Sequence, residues 1–244
     1  MGRMLKKRHF SKISKSFDQT GCGSYLDALT NMFDKNQNPT LLDLGCGNGT
    51  YTLIYAKICG ARKIIGIDID EDALSVAKKK GIETQIGDLN KKLPFESNSF
   101  DVVTSTQVIE HLVDCDSYAM EIYRILKPTG YAIITSENLA SWNNILALSL
   151  GYQPFTENIS RVKRIGNPFS PNYGEIPHFD NLHIHVFTTK SFVEFLQLHG
   201  FEIESLKCSG YPPLAGSLAD LLAKLDKTHS RYIMARIRKR QNME

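Results

Sequence analysis

The chain has 244 residues, of which 42% are hydrophobic and 23% are charged, which is typical of a soluble globular protein and long enough for one large α/β domain. Its five cysteines are widely spaced and form no CxxC pair, which argues against a disulfide framework or a zinc-ribbon site and indicates reduced thiols in a cytoplasm. The basic first fifteen residues lack the apolar run of a signal peptide, and the run NILALSLGY is too short to span a bilayer, so we expect a cytoplasmic protein with at most peripheral membrane contact.

The net charge of +3 is unevenly distributed. Residues 1–15 contain six Lys or Arg and no acid, and residues 224–244 contain seven Lys or Arg against two acids. Basic ends can attract nucleic acid or an anionic membrane, but charge runs alone are weak evidence and are more often solvated. We therefore predict a basic N-terminal arm at residues 1–23 and do not expect nucleic acid as the partner.

Residues 24–138 alternate between helical patterns and short apolar runs that end in glycine or a polar residue. The predicted helices are SYLDALTNMFDK, TYTLIYAKICG, EDALSVAKKKG and DSYAMEIYRILKPTG, the last closed by Lys-Pro and Gly. The predicted strands are TLLDLG, KIIGIDID, IETQIGDLN, the start of SFDVVTSTQVIEHL, and YAIITSEN. Strands that alternate with helices of this length predict βαβ units and a parallel sheet.

The alternation fails between about residues 138 and 187. One helical run, SWNNILALSLGY, is followed there by a loop rich in Pro, Asn and Gly that ends in HFDNLHIHVF. Long irregular insertions in compact domains are more often functional lids than spacers, so we predict a lid or substrate insertion. The pattern then resumes with a helix N-capped by Thr189, a strand FEIESLKC, a helix GSLADLLAKLDK and a strand SRYIMARIRK, so residues 24–244 are predicted to form a single domain.

A glycine-rich loop follows the first predicted strand, with Gly45, Gly47 and Gly49 at the turn into a helix. Glycines let a ligand lie against the backbone, and open parallel sheets bind ligands at this edge. A phosphate-binding P-loop would need Lys-Ser/Thr after the glycines, and the dinucleotide fingerprint would need glycine in place of Thr50. Asp43, just before the loop, would repel a diphosphate, which favours a ligand with a positive or neutral end.

Two further acids end the next two predicted strands. Asp68 in GIDID is placed to accept both hydroxyls of a ribose, and Asp88 in GDLN can accept from an exocyclic amine such as that of adenine. The alternative is that both acids only cap the helices that follow. Three acids at three consecutive strand ends favour a nucleoside-containing ligand.

The segments LLDLGCGNGTYT, IIGIDID, IGDLN, FDVVTSTQVIEHL and ILKPTGYAIITSEN resemble, in order and spacing, the motifs of class I S-adenosylmethionine-dependent methyltransferases. The resemblance covers about residues 40–138 and is closest to the small-molecule branch that includes ubiquinone-biosynthesis O-methyltransferases. It implies an α/β fold, a Rossmann-like, mostly parallel sheet of seven strands with helices on both faces and an antiparallel last strand at about residues 231–238. An early arginine motif like that of the quinone enzymes is not evident, so the acceptor stays open.

S-adenosyl-L-methionine is the cofactor that the resemblance implies. The cofactor-binding residues carried over with it are Asp43, Gly45, Cys46, Gly47 and Gly49 around the methionine portion, Asp68 and Ile69 at the ribose, Asp88 and Leu89 at the adenine end, and Thr106 beside the sulfonium. Methyl transfer to a hydroxyl also needs a group that removes its proton, whereas a carboxylate acceptor would need none.

Four residues are candidates for that catalytic role: Glu110 and His111 after the fourth strand, and His183 and His185 in the insertion. Histidine suits proton transfer because imidazole titrates near neutral pH. The alternatives are that Glu110 anchors a loop and that His111 packs near the cofactor. His178, Asp180, His183 and His185 could also hold a metal, but a histidine run in a lid is an unusual source of ligands, so no metal is expected.

The predicted activity is methyl transfer to a small molecule, with oxygen as the expected methylated atom and a glycan precursor, a quinone-like phenol or a lipid-linked intermediate as acceptor. Aromatic residues of the insertion fit a partly apolar acceptor, and SWNNILALSLGY fits a lid better than an interfacial helix. The alternatives are a non-catalytic S-adenosylmethionine-binding module or partner subunit, an RNA methyltransferase and a nicotinamide-dependent oxidoreductase. An NPPY-type motif is missing after the fourth strand, which argues against the RNA enzyme, and Thr50 argues against the oxidoreductase.

Overall fold

A computed structural model describes residues 22–35, 38–176, 182–214 and 216–240. The α-helices are α1 (Cys22–Thr30), α2 (Thr50–Cys59), α3 (Glu71–Lys79), α4 (Cys115–Ile125), α5 (Trp142–Ser149), α6 (Thr189–Leu198) and α7 (Gly216–Leu225). The strands are β1 (Thr40–Leu44), β2 (Lys63–Asp68), β3 (Glu83–Ile86), β4 (Phe100–Thr106), β5 (Leu126–Glu137), β6 (Phe201–Ser209) and β7 (Tyr232–Lys239). A short 3₁₀ helix, Ile109–His111, follows β4.

The seven strands form one sheet in the order β3-β2-β1-β4-β5-β7-β6. Strands β1 to β5 pair in parallel, and β7 lies antiparallel between β5 and β6. The predicted α/β fold with an antiparallel last strand is therefore confirmed. Strand β7 pairs with β5, which precedes the insertion, and with β6, which follows it. The residues on either side of the insertion therefore belong to one sheet.

Side chains alternate between the two faces of the sheet, as the pleat requires. Leu42 and Leu44 of β1 pack into a core with α4 and α6, whereas Leu41 packs on the opposite face against α1 and α2. Both faces are thus covered by helices, which is why the parallel strands are apolar on both sides. In the described part of the chain, no helix is long and apolar enough to cross a membrane.

Among the element boundaries that differ from the sequence prediction, two have a clear local cause. The helix predicted to extend to Gly130 ends at Ile125, and residues 126–130 already belong to β5. Pro128 disfavours the helical conformation at the residue before it, which forces the earlier end. The N-cap of α6 is Thr188 rather than Thr189: Thr188 forms a capping box with Ser191, and the Thr189 hydroxyl donates to the Lys227 carbonyl at 2.9 Å.

The basic last strand is largely paired within the fold. The Arg236 guanidinium lies 2.6 Å from a carboxylate oxygen of Asp34 and 2.6 Å from one of Glu204, and it stacks over Tyr131 at 3.9 Å. Arg238 also pairs with Glu204. These contacts favour a structural role for the C-terminal charges. The basic arm predicted at residues 1–23 lies almost wholly outside the described residues.

Replacement of Gly49 by alanine tests how tightly the glycine loop is packed. Gly49 has φ +74°, and a Cβ there would lie 2.2 Å from Cδ1 of the buried Ile82 and 3.1 Å from Cβ of Ala77. Gly81 also has a positive φ, +87°, but has open space at its Cβ position. Gly81→Ala should cost about 1–2 kcal/mol for the left-handed backbone, and Gly49→Ala about 1–3 kcal/mol more for overpacking. Urea unfolding measures both, and equal losses would contradict the close packing.

Candidate active site

The candidate site lies at the carboxyl edge of the sheet, between β1 and β4. From β1 the chain continues to β2 on one side, whereas β4 continues to β5 on the other. The connecting segments therefore leave in opposite directions and open a crevice, which is where open α/β sheets bind ligands. The loops after β1, β2, β3 and β4 all reach this edge.

The glycine loop after β1 forms one wall of the crevice. Gly45 has φ +73°, and a Cβ added there would lie only 2.6 Å from Cγ2 of Val108, so Val108 packs directly on the loop. Gly47 has φ +50° and nothing within 4 Å of its Cβ position. The loop is thus held firmly at Gly45 while its backbone is open to a ligand at Gly47. Cys46 is buried, with its thiol towards the Gly47 carbonyl.

Asp68 connects this loop to the end of β2. Its carboxylate accepts a hydrogen bond from the Gly47 backbone N–H at 2.7 Å and a second from the Asp70 N–H at 3.0 Å. The next residue, Ile69, is 68% exposed, although it is a large aliphatic side chain. A carboxylate beside an exposed apolar surface suits a ligand that has hydroxyls next to a flat ring.

Asp43 is buried, and it faces the interior. Its two carboxylate oxygens accept hydrogen bonds from the hydroxyls of Thr52 at 2.5 Å and Thr104 at 2.6 Å. Burial raises the pKa of Asp43 to about 6, an effect to which the charge of Asp68 adds, although the two threonines oppose it. Asp43 thus ties the end of β1 to α2 and β4 and supports the glycine loop from below. The two threonine partners were not anticipated from the sequence.

The remaining predicted cofactor residues lie around the same edge. Asp88 accepts from the backbone and side-chain amides of Asn90, and the first of these bonds holds the pKa of Asp88 below its usual range. Leu89, next to Asp88, packs against the core beneath. At the end of β4, the Thr106 hydroxyl lies 3.5 Å from that of Tyr55. The structure therefore places the predicted cofactor residues along the one edge.

A second group of polar residues lies directly beyond Val108. Glu110 is fully buried in the 3₁₀ helix, and its backbone carbonyl accepts from the N–H groups of Ile184 and His185 at 2.6 and 3.2 Å. The end of the insertion is thereby attached to the loop after β4. Ser136 donates to Oε2 of Glu110 at 3.2 Å. Burial raises the pKa of Glu110 to about 8, and the charge of Glu137 adds to the rise.

The structure brings three of the four predicted catalytic residues together. Ligand-type atoms of Glu110, His111 and His183 all lie within 4.8 Å of one another, and the two imidazole rings meet edge to face at 4.9 Å between centroids. His185 does not join this group: its Nε2 lies 3.2 Å from the carbonyl oxygen of Val113, and the residue is exposed. We refer to Glu110, His111 and His183 as the acid–histidine cluster.

Residues 182–186 do not form a strand, so the two histidines do not share one face as an extended segment would have them. His183 Nδ1 lies 2.6 Å from the Thr156 carbonyl and 3.7 Å from a carboxylate oxygen of Glu137, both missed in the sequence. Glu137 is the last residue of β5, in the polar sequence TSEN. This polar strand end is the sequence feature that could have indicated Glu137 as a residue of the site. His178 and Asp180 lie outside the described residues.

A cavity of about 200 Å³ opens next to the acid–histidine cluster. His111 and His183 form one side of it, and residues 158–161 and 182–184 complete the wall. Ile159 and Ile184, which are 62% and 42% exposed, add apolar surface to a wall that also carries Asn158, Ser160 and Arg161. An empty cavity of about 150 Å³ is large enough for benzene, so this one can take a single ring.

Comparisons with known proteins agree with the fold. Residues 42–134 match the family model described as a methyltransferase domain. The chain is 31% identical over 133 residues to an uncharacterized methyltransferase of Schizosaccharomyces pombe, covering 49% of this chain and 46% of that protein. It is 34% identical over 97 residues to the ubiquinone/menaquinone biosynthesis C-methyltransferase UbiE of Desulfotalea psychrophila, covering 38% of this chain and 39% of that protein. The chain thus spans less than half the length of these curated relatives.

Among solved structures, an S-adenosylmethionine-dependent methyltransferase from Mesorhizobium loti superposes with a TM-score of 0.62. The alignment covers 88% of this chain and 98% of that one, at 19% sequence identity. The similarity therefore extends beyond the residues matched by the family model and includes most of the seven-stranded sheet. At this identity it establishes the fold and no more.

Replacement of Asp43 by asparagine tests its burial through the pH dependence of stability. Because the folded-state pKa of about 6 exceeds the ordinary value of 3.8, the folded protein loses stability as the pH rises between these values, and the loss is complete above them. The asparagine side chain cannot ionise. The unfolding free energy of Asp43→Asn minus that of the parent should therefore increase by about 2 kcal/mol between about pH 4.5 and 7.5. Urea unfolding across this range measures it, and a constant difference would show that Asp43 is not desolvated.

Proposed function

We propose that the chain is an S-adenosyl-L-methionine-dependent enzyme of the class I methyltransferase family that methylates a small molecule, since residues 42–134 match a methyltransferase domain and the fold superposes on that of such an enzyme. The observation that carries the proposal is that the glycine loop, the strand-end acids Asp68 and Asp88, and the acid–histidine cluster all lie at one edge of the sheet, at its switch point. We call the glycine loop with Asp68 and Asp88 the cofactor wall. The acid–histidine cluster and the cavity beside it form the acceptor wall.

The residues of the crevice fit this cofactor. The open backbone at Gly47 leaves room for the methionine portion, and Asp68 at the end of β2 can accept from the ribose hydroxyls. The exposed aliphatic surface of Ile69 suits one face of the adenine, and Asp88 lies at the edge where its exocyclic amine would be. Asp43 supports the loop from the interior, which replaces the direct contact expected from the sequence.

The cofactor supplies a methyl group on a positively charged sulfur, which leaves as a neutral thioether. The chain contributes the alignment: Val108, packed on Gly45, sets the spacing between the glycine loop and the 3₁₀ helix that carries Glu110 and His111. Holding two reacting groups in line is worth about 7–11 kcal/mol in well-oriented systems. The acid–histidine cluster takes part in removing the proton of an acceptor hydroxyl, a role worth about 10²–10⁴-fold in rate.

We propose an acceptor that carries an acidic hydroxyl on a ring, such as a phenol. The cavity beside the cluster has room for one ring, and the exposed side chains of Ile159 and Ile184 offer that ring an apolar contact. UbiE of D. psychrophila is named as a quinone-biosynthesis C-methyltransferase, which points in the same direction. Loss of the hydroxyl proton activates a phenol at oxygen and at ring carbon alike. Oxygen is the proposed methylated atom, because the cluster lies where a hydroxyl would enter, and carbon is the alternative that a product analysis decides.

We also propose that residues 138–187 act as the lid over this acceptor. The segment supplies Asn158, Ile159, Ser160 and Arg161 of the cavity wall. Its two ends are joined to each other by the β-bridge between Asn138 and Phe187, and its residues 184 and 185 donate hydrogen bonds to the Glu110 carbonyl of the 3₁₀ helix.

The structure has free thiols at four cysteines, Cys46, Cys59, Cys115 and Cys208. These free thiols support the proposal of a reducing, cytoplasmic compartment.

Binding of S-adenosylhomocysteine tests the cofactor wall. Asp68→Ala removes the carboxylate proposed for the ribose and also its bond to the Gly47 N–H. Charge-assisted hydrogen bonds contribute about 1.5–3 kcal/mol each, so the Kd should rise by at least about 10-fold. Asp72→Ala, in the first turn of α3, is the matched control and should bind as the parent does. Calorimetry that finds no binding by the parent, or equal binding by Asp68→Ala, would contradict the assignment.

Release of S-adenosylhomocysteine with a panel of simple phenols and catechols tests the acceptor wall. His183→Gln should lower the rate by about 10²–10⁴-fold, because the ring lies in the cluster and on the cavity. His185→Gln should lower it much less, because its ring contacts the exposed Val113 carbonyl instead. Both variants should keep the parent affinity for S-adenosylhomocysteine. Equal rates for the two variants would show that His183 has no role in the reaction. If the parent protein binds the cofactor but methylates no acceptor, it is a non-catalytic module.

A further inference from the structure

The acid–histidine cluster has the composition and arrangement of a metal site. Glu110, His111 and His183 each offer one ligand atom, all within 4.8 Å of one another. We propose that the cluster binds one divalent transition-metal cation of the zinc type, with its open coordination position towards the acceptor cavity. This site differs from the one weighed on the sequence, because His185 turns to Val113 and because Glu110 and His111 come from the loop after β4.

The tautomers of both histidines are set by backbone carbonyl groups. Nδ1 of His111 lies 3.1 Å from the Leu182 carbonyl oxygen, and Nδ1 of His183 lies 2.6 Å from that of Thr156. A carbonyl oxygen only accepts, so each Nδ1 carries the hydrogen, and in the neutral ring Nε2 keeps its lone pair. A metal-binding histidine characteristically donates its other ring N–H to a carbonyl or carboxylate in this way.

Glu110 provides the second, independent observation. The residue is fully buried, and Ser136 donates to its Oε2, but its Oε1 has no hydrogen-bond partner among the described residues. An unsatisfied oxygen of a buried carboxyl group destabilises the fold. A cation bonded to Oε1 would satisfy this atom, and Ser136 would then orient the carboxylate from behind as the two carbonyls orient the rings.

Two imidazoles and one carboxylate specify the kind of cation. Zinc takes this set in catalytic sites, with three protein ligands and a fourth position for water or substrate. Zinc bonds of about 2.0–2.2 Å place tetrahedral ligand atoms about 3.4 Å apart, so rotations that move the side chains by about 1 Å close the present set around the ion. Magnesium and calcium prefer oxygen ligands, which disfavours both here.

The open position faces the proposed acceptor, since His111 and His183 both line the cavity of about 200 Å³. A cation in contact with an acceptor hydroxyl lowers its pKa, so that the proton passes to water and the oxygen becomes nucleophilic at neutral pH. The new bond then forms from that oxygen to the methyl carbon as the carbon–sulfur bond breaks and its electron pair stays on sulfur. This catalytic consequence rests on the proposed function, whereas the binding of the cation does not.

Metal binding is tested by titrating the chelator-treated 244-residue protein with Zn²⁺ in a calorimeter, with and without S-adenosylhomocysteine. One Zn²⁺ per chain is expected. The variants His183→Gln and His111→Gln should each lower the affinity for Zn²⁺ by at least about 100-fold, since loss of an outer-shell partner alone lowers it by about 10–100-fold. Glu110→Gln should do the same, with its fold checked by circular dichroism because the residue is buried. His199→Gln is the control, because His199 pairs with Asp116 away from the cluster.

Co²⁺ substitution identifies the ligands separately. Bound Co²⁺ should give the visible spectrum of nitrogen and oxygen ligation without a thiolate charge-transfer band, which distinguishes the cluster from adventitious binding to cysteine. The proposal is overturned if Zn²⁺ does not bind, if it binds equally to the three cluster variants, or if Co²⁺ shows thiolate ligation. If the parent protein binds S-adenosylhomocysteine but not Zn²⁺, the metal site alone is refuted. Zn²⁺ binding without S-adenosylhomocysteine binding refutes the proposed methyltransferase function alone.

Discussion

The close contact between Val108 and Gly45 is the constraint on which both halves of the site depend. Any Cβ at position 45 would overlap Val108, so the loop after β1 and the loop after β4 can meet this closely only with glycine there. Val108 leads directly into the 3₁₀ helix that carries Glu110 and His111. The contact therefore sets the distance between the cofactor wall and the acceptor wall. In the methyl transfer that we propose, this distance decides the rate, because the methyl group passes directly from the cofactor to the acceptor.

The acids at the strand ends have different roles because their burial differs. Asp43 is enclosed by Thr52 and Thr104 and has a raised pKa, so it acts as an internal support. Asp68 is only partly buried and holds the glycine loop through the Gly47 N–H, which leaves its carboxylate within reach of a ligand. Glu110 is again fully buried, but one of its oxygens lacks a partner in the described structure. Because of this oxygen, we propose that Glu110 binds a ligand, whereas Asp43 only supports the fold.

Local patterns were sufficient to predict the sheet and the residues that gather at its carboxyl edge. Each predicted strand end and glycine turn depends on residues adjacent in sequence, so Asp68, Asp88 and the loop at Gly45–Gly49 could be placed together once the parallel sheet was inferred. The boundary at Lys127–Gly130 was wrong because the restriction that Pro128 imposes on the preceding residue outweighed the helical pattern. The N-cap shifted to Thr188 because Ser191 completes a capping box there.

The acceptor wall could be predicted only in part. Glu110, His111, His183 and His185 were all proposed, but the sequence could not show that the His183 ring joins Glu110 and His111 while the His185 ring lies against the Val113 carbonyl, further along the same loop. That outcome depends on contacts between residues far apart in sequence, such as His183 with Thr156 and the Glu110 carbonyl with residues 184 and 185. An extended strand would have put both rings on one face, and the irregular backbone separates them.

Mass spectrometry of a cell extract incubated with the protein and S-adenosylmethionine carrying a deuterated methyl group tests the central claim most directly. The account predicts a small molecule that gains the labelled methyl group, and the label should disappear when Asp68→Ala or His183→Gln replaces the parent protein. A ring-bearing product with the label on oxygen would agree with the proposed acceptor. Labelled RNA or protein as the sole product, or no labelled product from a protein that binds the cofactor, would contradict the account.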